Sequence, residues 1–92
     1  MKIRNMQSPN GNPVPNQFII WDNNNCCYFQ SYQSIIIKED HSNYPKKTYL
    51  DKYYWDYSRT TGKYRNIFLG ESKEETQTKI DSGEYTLTNL NN

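Results

Sequence analysis

"TTGKYRNIFLG", residues 60–70, is where the chain stops alternating and starts to repeat every three to four residues. Tyr64, Ile67 and Phe68 fall at i, i+3 and i+4, which puts them on one helical face. Ser58 or Thr60 can cap the start, since a hydroxyl oxygen satisfies a free backbone N–H, and Gly70 can end the helix in the left-handed conformation. Directly afterwards, Ser72-x-x-Glu75 has the form of a capping box and Gly83 supplies a second stop. The helix between them, Lys73 to Ser82, has Ile80 as its one strong apolar residue, so it is expected to lie mostly on the surface.

Upstream the period is two. "QFIIW", "DNNN" and "CCYFQ" read as strand, turn and strand of a β-hairpin, with Asn tolerating the left-handed conformation of a tight turn. "SYQSIIIKED" continues extended, because the χ1 stiffness of three consecutive isoleucines favours a strand. After the polar loop "EDHSNYP", the run "KKTYL" puts Thr48 and Leu50 on one face and Tyr49 on the other. "EYTLTNL" closes the chain with Tyr85 and Leu87 alternating against polar neighbours. Residues 1–16 hold Pro9, Gly11, Pro13, Pro15 and four asparagines, which predicts an extended lead-in with Ile3 at a sheet edge. Strands, two helices and a strand define an α+β fold: an antiparallel sheet of three to five strands, with both short helices packed on one face. One domain, residues 17–92, follows the lead-in.

Composition bounds what such a domain can be. Only 34% of the residues are hydrophobic and there is no alanine, so the apolar content rests on eight Ile, four Leu, three Phe, two Trp and nine Tyr. Burying each such side chain contributes roughly 1.5–3 kcal/mol against roughly 1–2 kcal/mol of backbone entropy per ordered residue. Some tyrosines must therefore join the core. The polar start "MKIRNMQSPNGN" has no apolar signal-peptide core and no run approaches a membrane span, which predicts a cytoplasmic protein without membrane contact. Cys26 and Cys27 are adjacent, so they are not a disulfide framework, and strand geometry predicts that at most one is buried. Metal binding lacks ligands, since the single histidine, His41, stands in a polar loop.

Catalysis finds no support either. The four glycines are isolated, His41 has no triad pattern around it, and the carboxylate pairs Glu39–Asp40 and Glu74–Glu75 suit a loop flank and a first helical turn. Neither an enzyme nor a cofactor is expected. Charge is the informative property. Residues 44–65 carry six cations against two carboxylates, whereas the chain from Asn66 onward carries two lysines against five carboxylates. A formal net charge of +1 hides a dipolar molecule.

Seven aromatics share the basic segment, and two readings of them compete. Tyr54 or Trp55 can plug the sheet while Tyr64 packs through its ring and lysine stems surround them. Alternatively, Tyr49, Lys52, Tyr53, Trp55, Tyr57, Arg59, Lys63 and Arg65 form a binding face for a protein or a nucleic acid, since rings and cations serve both. Ser58, Thr60 and Thr61 beside Arg59 and Lys63 could also hold an anion, although capping is the simpler use of those hydroxyls.

The stretches Ser58-x-Thr60-Thr61-x-Lys63-Tyr64-x-x-x-Phe68-Leu69 and Phe29-x-Ser31-Tyr32 anchor a resemblance spread over Asn16 to Asn91. The chain resembles a family of small, uncharacterised proteins of bacteriophages and other mobile elements. That resemblance implies an origin and carries no activity with it. The expected function is a non-catalytic binding protein that occupies a host protein or protein–nucleic-acid complex, such as a defence complex, in the manner of an anti-CRISPR-type inhibitor. A small nucleic-acid-binding accessory protein and a structural or virion component are the alternatives.

Overall fold

In the computed structural model, which describes residues 1–91, the alternating runs form one sheet and the three-to-four-residue repeat forms helices. The chain runs through β1 (Lys2–Gln7), β2 (Pro13–Trp21), β3 (Cys26–Ser31), β4 (Ser34–Asp40), β5 (Lys47–Asp51), α1 (Arg59–Leu69), α2 (Lys73–Asp81) and β6 (Tyr85–Thr88). The strands lie side by side in that same order. The α+β class is as expected, but the sheet has six strands where three to five were expected.

Two features differ from expectation. Residues 1–16 are not an extended lead-in but are built into the sheet through a turn: β1 pairs antiparallel with β2, with Ile3 opposite Ile20 and Gly11 at φ 82 in the turn between them. Of β1 only Met6 is buried, so its sequence shows no alternation to read. The second difference is direction. β6 pairs parallel to β5, with Thr48 beside Tyr85 and Leu50 beside Leu87, because the chain returns through α1 and α2 instead of a hairpin.

The expected β2–β3 hairpin is present, with Trp21 opposite Cys27 and Asn25 at φ 62 in its turn. Asp22 fixes that turn by accepting the backbone N–H groups of Asn24 and Cys26. Both cysteines are buried, against the expectation of one at most. Strand geometry does send them to opposite faces, but the turn folds over Cys26, whose thiol lies 3.8 Å from the Asn24 carbonyl. Burial raises both thiols, Cys27 to about 11, which disfavours their thiolate forms.

Register sets the core face. Phe29 faces Ile37, and Ile37 faces Leu50. A bulge opposite Phe29 and Gln30 inserts Ile36, which explains how Ile36 and Ile37 are both fully buried. On this face Phe29 stacks on Phe68 of α1 with ring centroids 5.8 Å apart, and Ser31 shares a 2.9 Å hydrogen bond with Thr61. Gln17, opposite Ser31, is also wholly buried. Among the described residues no helix lies over the other face. Ile3, Ile20, Tyr28, Lys38, Tyr49 and Thr86 form one continuous cross-strand row there.

The caps follow the sequence closely. Ser58 accepts from the Thr61 N–H to start α1, Gly70 ends it at φ 70, and Ser72 with Glu75 closes a reciprocal capping box on α2. The buried stripe of α1 is different from the one expected. Thr61, Tyr64 and Arg65 are buried and Phe68 packs on the core, whereas Ile67 is exposed. As expected, α2 lies on the surface, with Thr76 its one buried residue.

Glu71 ties α2 to β6. Its Oε1 accepts from the Tyr85 hydroxyl at 2.6 Å and the Thr76 hydroxyl at 3.0 Å, while Lys79 Nζ sits 2.7 Å from Oε2. Burial pushes the Glu71 carboxyl up, but these hydrogen bonds outweigh it and hold it below the usual 4.5. A carboxylate depressed on folding adds stability that is present above its unfolded value and lost as pH falls through the folded one. Urea midpoints should therefore drop as pH falls below about 4.5, and Glu71→Gln should flatten that drop. An unchanged acid limb in Glu71→Gln would show that other carboxylates set it.

Candidate functional site

Between β5 and α1 the chain makes a tight loop, residues 52–58, whose backbone is held at both ends. At the first end, the fully buried Asp51 carboxylate accepts the N–H groups of Tyr53 and Tyr54 on Oδ2 and those of Leu90 and Asn91 Nδ2 on Oδ1. At the second, Arg65 Nη1 donates to the Trp55 carbonyl at 2.7 Å and to Asp56 at 3.1 Å, and Nη2 donates to Asn66 at 3.0 Å. The Arg65 guanidinium also lies 5.2 Å from the Trp55 ring centroid. Tyr57 N–H closes on the Tyr54 carbonyl. Such a loop presents its outward side chains with little ordering left to do on binding.

Two of its rings point inward and two outward. Tyr54 and Trp55 pack against the core, while Tyr53 is 68% exposed and Tyr57 is 70% exposed. Of the eight site residues expected from sequence, Tyr57, Arg59 and Lys63 come together around an open depression of about 830 Å3, with Lys73 and Ile67, and the buried Arg65 lies in its wall. Arg59 and Lys63 are one helical turn apart and have no carboxylate partner among the described residues. The one acid at the rim, Asp56, is already bound to Arg65 and Lys73. Burial pushes the Asp56 carboxyl up, yet the hydrogen bonds from Lys73 and Arg65 win and keep it ionised.

The other five are placed elsewhere or play another part. Tyr49 lies on the open sheet face with Lys38 5.9 Å from its ring centroid. Lys52 sits 5.2 Å from the Tyr53 ring at the start of the loop, apart from the depression. Trp55 faces the interior. Arg65, at 1% exposure, is a buried clamp rather than a contact residue, because its donors reach the loop carbonyl and Asp56 from inside the helix stripe.

Sequence reading missed two members of this surface. Tyr32 and Tyr54 form, with Tyr57, a notch of about 380 Å3 beside the depression, so that Tyr57 belongs to both. Tyr54 meets Tyr57 edge-on at 5.3 Å. Tyr32 sits in the two-residue connection between Ser31 and Ser34, is 50% exposed and has φ 56. That left-handed region suits glycine and is costly for a bulky side chain. A turn "SYQS" without Gly or Asn gave no sign of it. The two stretches that carry the family resemblance meet beneath this surface, Phe29 on Phe68 and Ser31 on Thr61.

Fold and surface together define a small α+β protein: one six-stranded sheet, two helices on one side of it, and a fixed loop that sets tyrosines beside cations with no carboxylate partner among the described residues. The chain belongs to a family of unknown function, DUF8033, which it matches over residues 1–84. That span takes in β1 to β5, both helices and every residue of the surface just described. Comparison with curated proteins and with solved structures gives no match. No helix among the described residues is long and apolar enough to cross a membrane.

Proposed function

We propose that the chain is a non-catalytic binding protein of a phage or mobile element, which acts by occupying a host macromolecule through the surface around Tyr57, Arg59 and Lys63. One observation carries the reading. Exposed tyrosines stand on a loop that Asp51 and Arg65 have already ordered, beside two cations of α1 that have no carboxylate partner among the described residues, so binding need not bear the entropy of fixing the loop. Tyr and Arg are the side chains that dominate interaction hot spots, and their placement beside open depressions leaves them free for a partner. The resemblance to phage and mobile-element proteins supplies the proposed setting, a host complex being the target.

Capture from a host lysate on immobilised protein tests this. Tyr57→Ala and Arg59→Ala are expected each to lower partner retention about tenfold or more while leaving the thermal midpoint within about 2 °C, since both side chains are exposed. Retention equal to that of the unaltered chain in both variants would remove this surface from consideration.

A further inference from the structure

We propose that the notch and the depression form one continuous site for single-stranded nucleic acid, with a base held among Tyr32, Tyr54 and Tyr57 and the adjoining phosphates on Arg59 and Lys63. The inference rests on the reading of this surface as a contact site and names its partner.

The geometry separates a stacking part from a charged part. The notch is walled by three tyrosines, with Asn16, Gln33 and Ser34 as the polar remainder. Its walls are rings, and a flat occupant with polar edges matches both kinds of lining. Tyr57 passes directly from this notch into the basic depression, where Arg59, Lys63 and Lys73 stand at the surface, Arg65 is buried in the wall, and Asp56 is the one acid of the lining. Two of those cations, Arg59 and Lys63, are free of carboxylates among the described residues, so a phosphate approaching them displaces no ion pair. An acidic peptide would satisfy the cations and leave the ring-walled notch without a planar occupant. A duplex would meet the cations, but its bases are stacked on one another and are not available to the notch.

Tyr32 gives the inference its sharpest edge. Folding alone would favour glycine at this φ, and among the described residues the ring makes no aromatic or hydroxyl contact that secures the turn, whose bonds come from the Tyr32 backbone to Asn16 and Gln30. A half-exposed ring kept at a strained position beside two other tyrosines is explained by what it touches outside the chain.

The test is fluorescence anisotropy with labelled oligothymidylate and oligouridylate of about 12 nucleotides and a duplex of the same length, at about 50 mM salt and upward. The single strands are expected to bind at least tenfold tighter than the duplex. Tyr57→Ala and Tyr32→Gly should each weaken binding about five- to a hundredfold, the span of one lost base stack. Tyr32→Gly should do so with a thermal midpoint no lower than that of the unaltered chain, a result that a purely structural tyrosine would not give. Arg59→Ala should reduce the slope of log affinity against log salt by about 0.7. Should Tyr57→Ala prove less stable, Tyr32→Gly and Arg59→Ala decide the matter. Absence of saturable binding at about 50 mM salt, equal affinity for the duplex, or unchanged affinity in the variants would each overturn the inference. Loss of oligonucleotide binding alongside Tyr57-dependent capture of a host protein would refute the nucleic-acid partner and leave the contact surface standing.

Discussion

Asp51→Ala is expected to lower folding stability by about 4–5 kcal/mol. Asp51 has no ion pair among the described residues; four N–H donors satisfy its carboxylate from within the molecule. Hydrogen bonds to a charged acceptor are worth about 1.5–3 kcal/mol each, and alanine leaves the donors without an acceptor in a place that water does not reach. Three links break together. The loop that carries Tyr53 and Tyr57 loses its first anchor. The chain after β6 loses its tie to β5. Asn91, which also pairs through its side chain with the backbone of Ile35, loses the group that orients it. Urea unfolding followed by circular dichroism measures the change. Asp51→Asn should cost about half as much, because one oxygen acceptor survives and an amide donor now faces donors. A loss below about 1 kcal/mol for alanine would mean that the loop is ordered by its ring packing alone.

Arg65→Ala is expected to cost about 3 kcal/mol, less than Asp51→Ala for a reason visible in the partners. Removing one member of a buried ion pair is most damaging when it strands the other charge. Asp56 keeps Lys73 at 2.7 Å and is partly exposed, so it is not stranded. What is lost is the donor to the Trp55 carbonyl, the contact with the Trp55 ring and the volume beneath α1. Arg65→Lys should recover under half of the loss, since an ammonium cannot reach Trp55, Asp56 and Asn66 with a planar fork. Hydrogen exchange gives a local readout. The Trp55 N–H, bonded to the Asp51 carbonyl, and the Tyr57 N–H, bonded to Tyr54, should exchange markedly faster in Arg65→Ala. Protection equal to that of the unaltered chain at both amides would show that Arg65 does not hold the loop.

Arg65 also shows what sequence reading could and could not reach. A cation counted by charge looks like surface, and the segment's excess of positive charge drew Arg65 into the expected contact face. The pattern was nevertheless present: Thr61, Tyr64, Arg65 and Phe68 are spaced i, i+3, i+4 and i+7, a better helical stripe than one running through Ile67. Local signals of this kind were legible throughout. Ser58, Gly70 and the Ser72–Glu75 box marked the helix ends, and Asn25 took the left-handed turn position. Signals that depend on distant partners were not. "KIRNMQ" does not alternate, because β1 is an edge strand with Met6 alone buried. The parallel direction of β6 follows from the crossover through α1 and α2, which a four-residue strand does not encode. Of the proposed surface, Tyr57, Arg59 and Lys63 were legible as neighbours in sequence; Tyr32 joins them only because Ser31 and Thr61 bring β3 against α1.

The most direct measurement is site-specific photocrosslinking in host lysate, with the reactive group placed in turn at Tyr57 and at Ile3. Ile3 is 60% exposed and stands on the uncovered sheet face, so it is an equally accessible control. Adducts are expected from position 57, to a defined macromolecule, and not from position 3. Adducts from position 3 with none from position 57 would put the contact on the open face of the sheet and contradict the assignment of the Tyr57 surface.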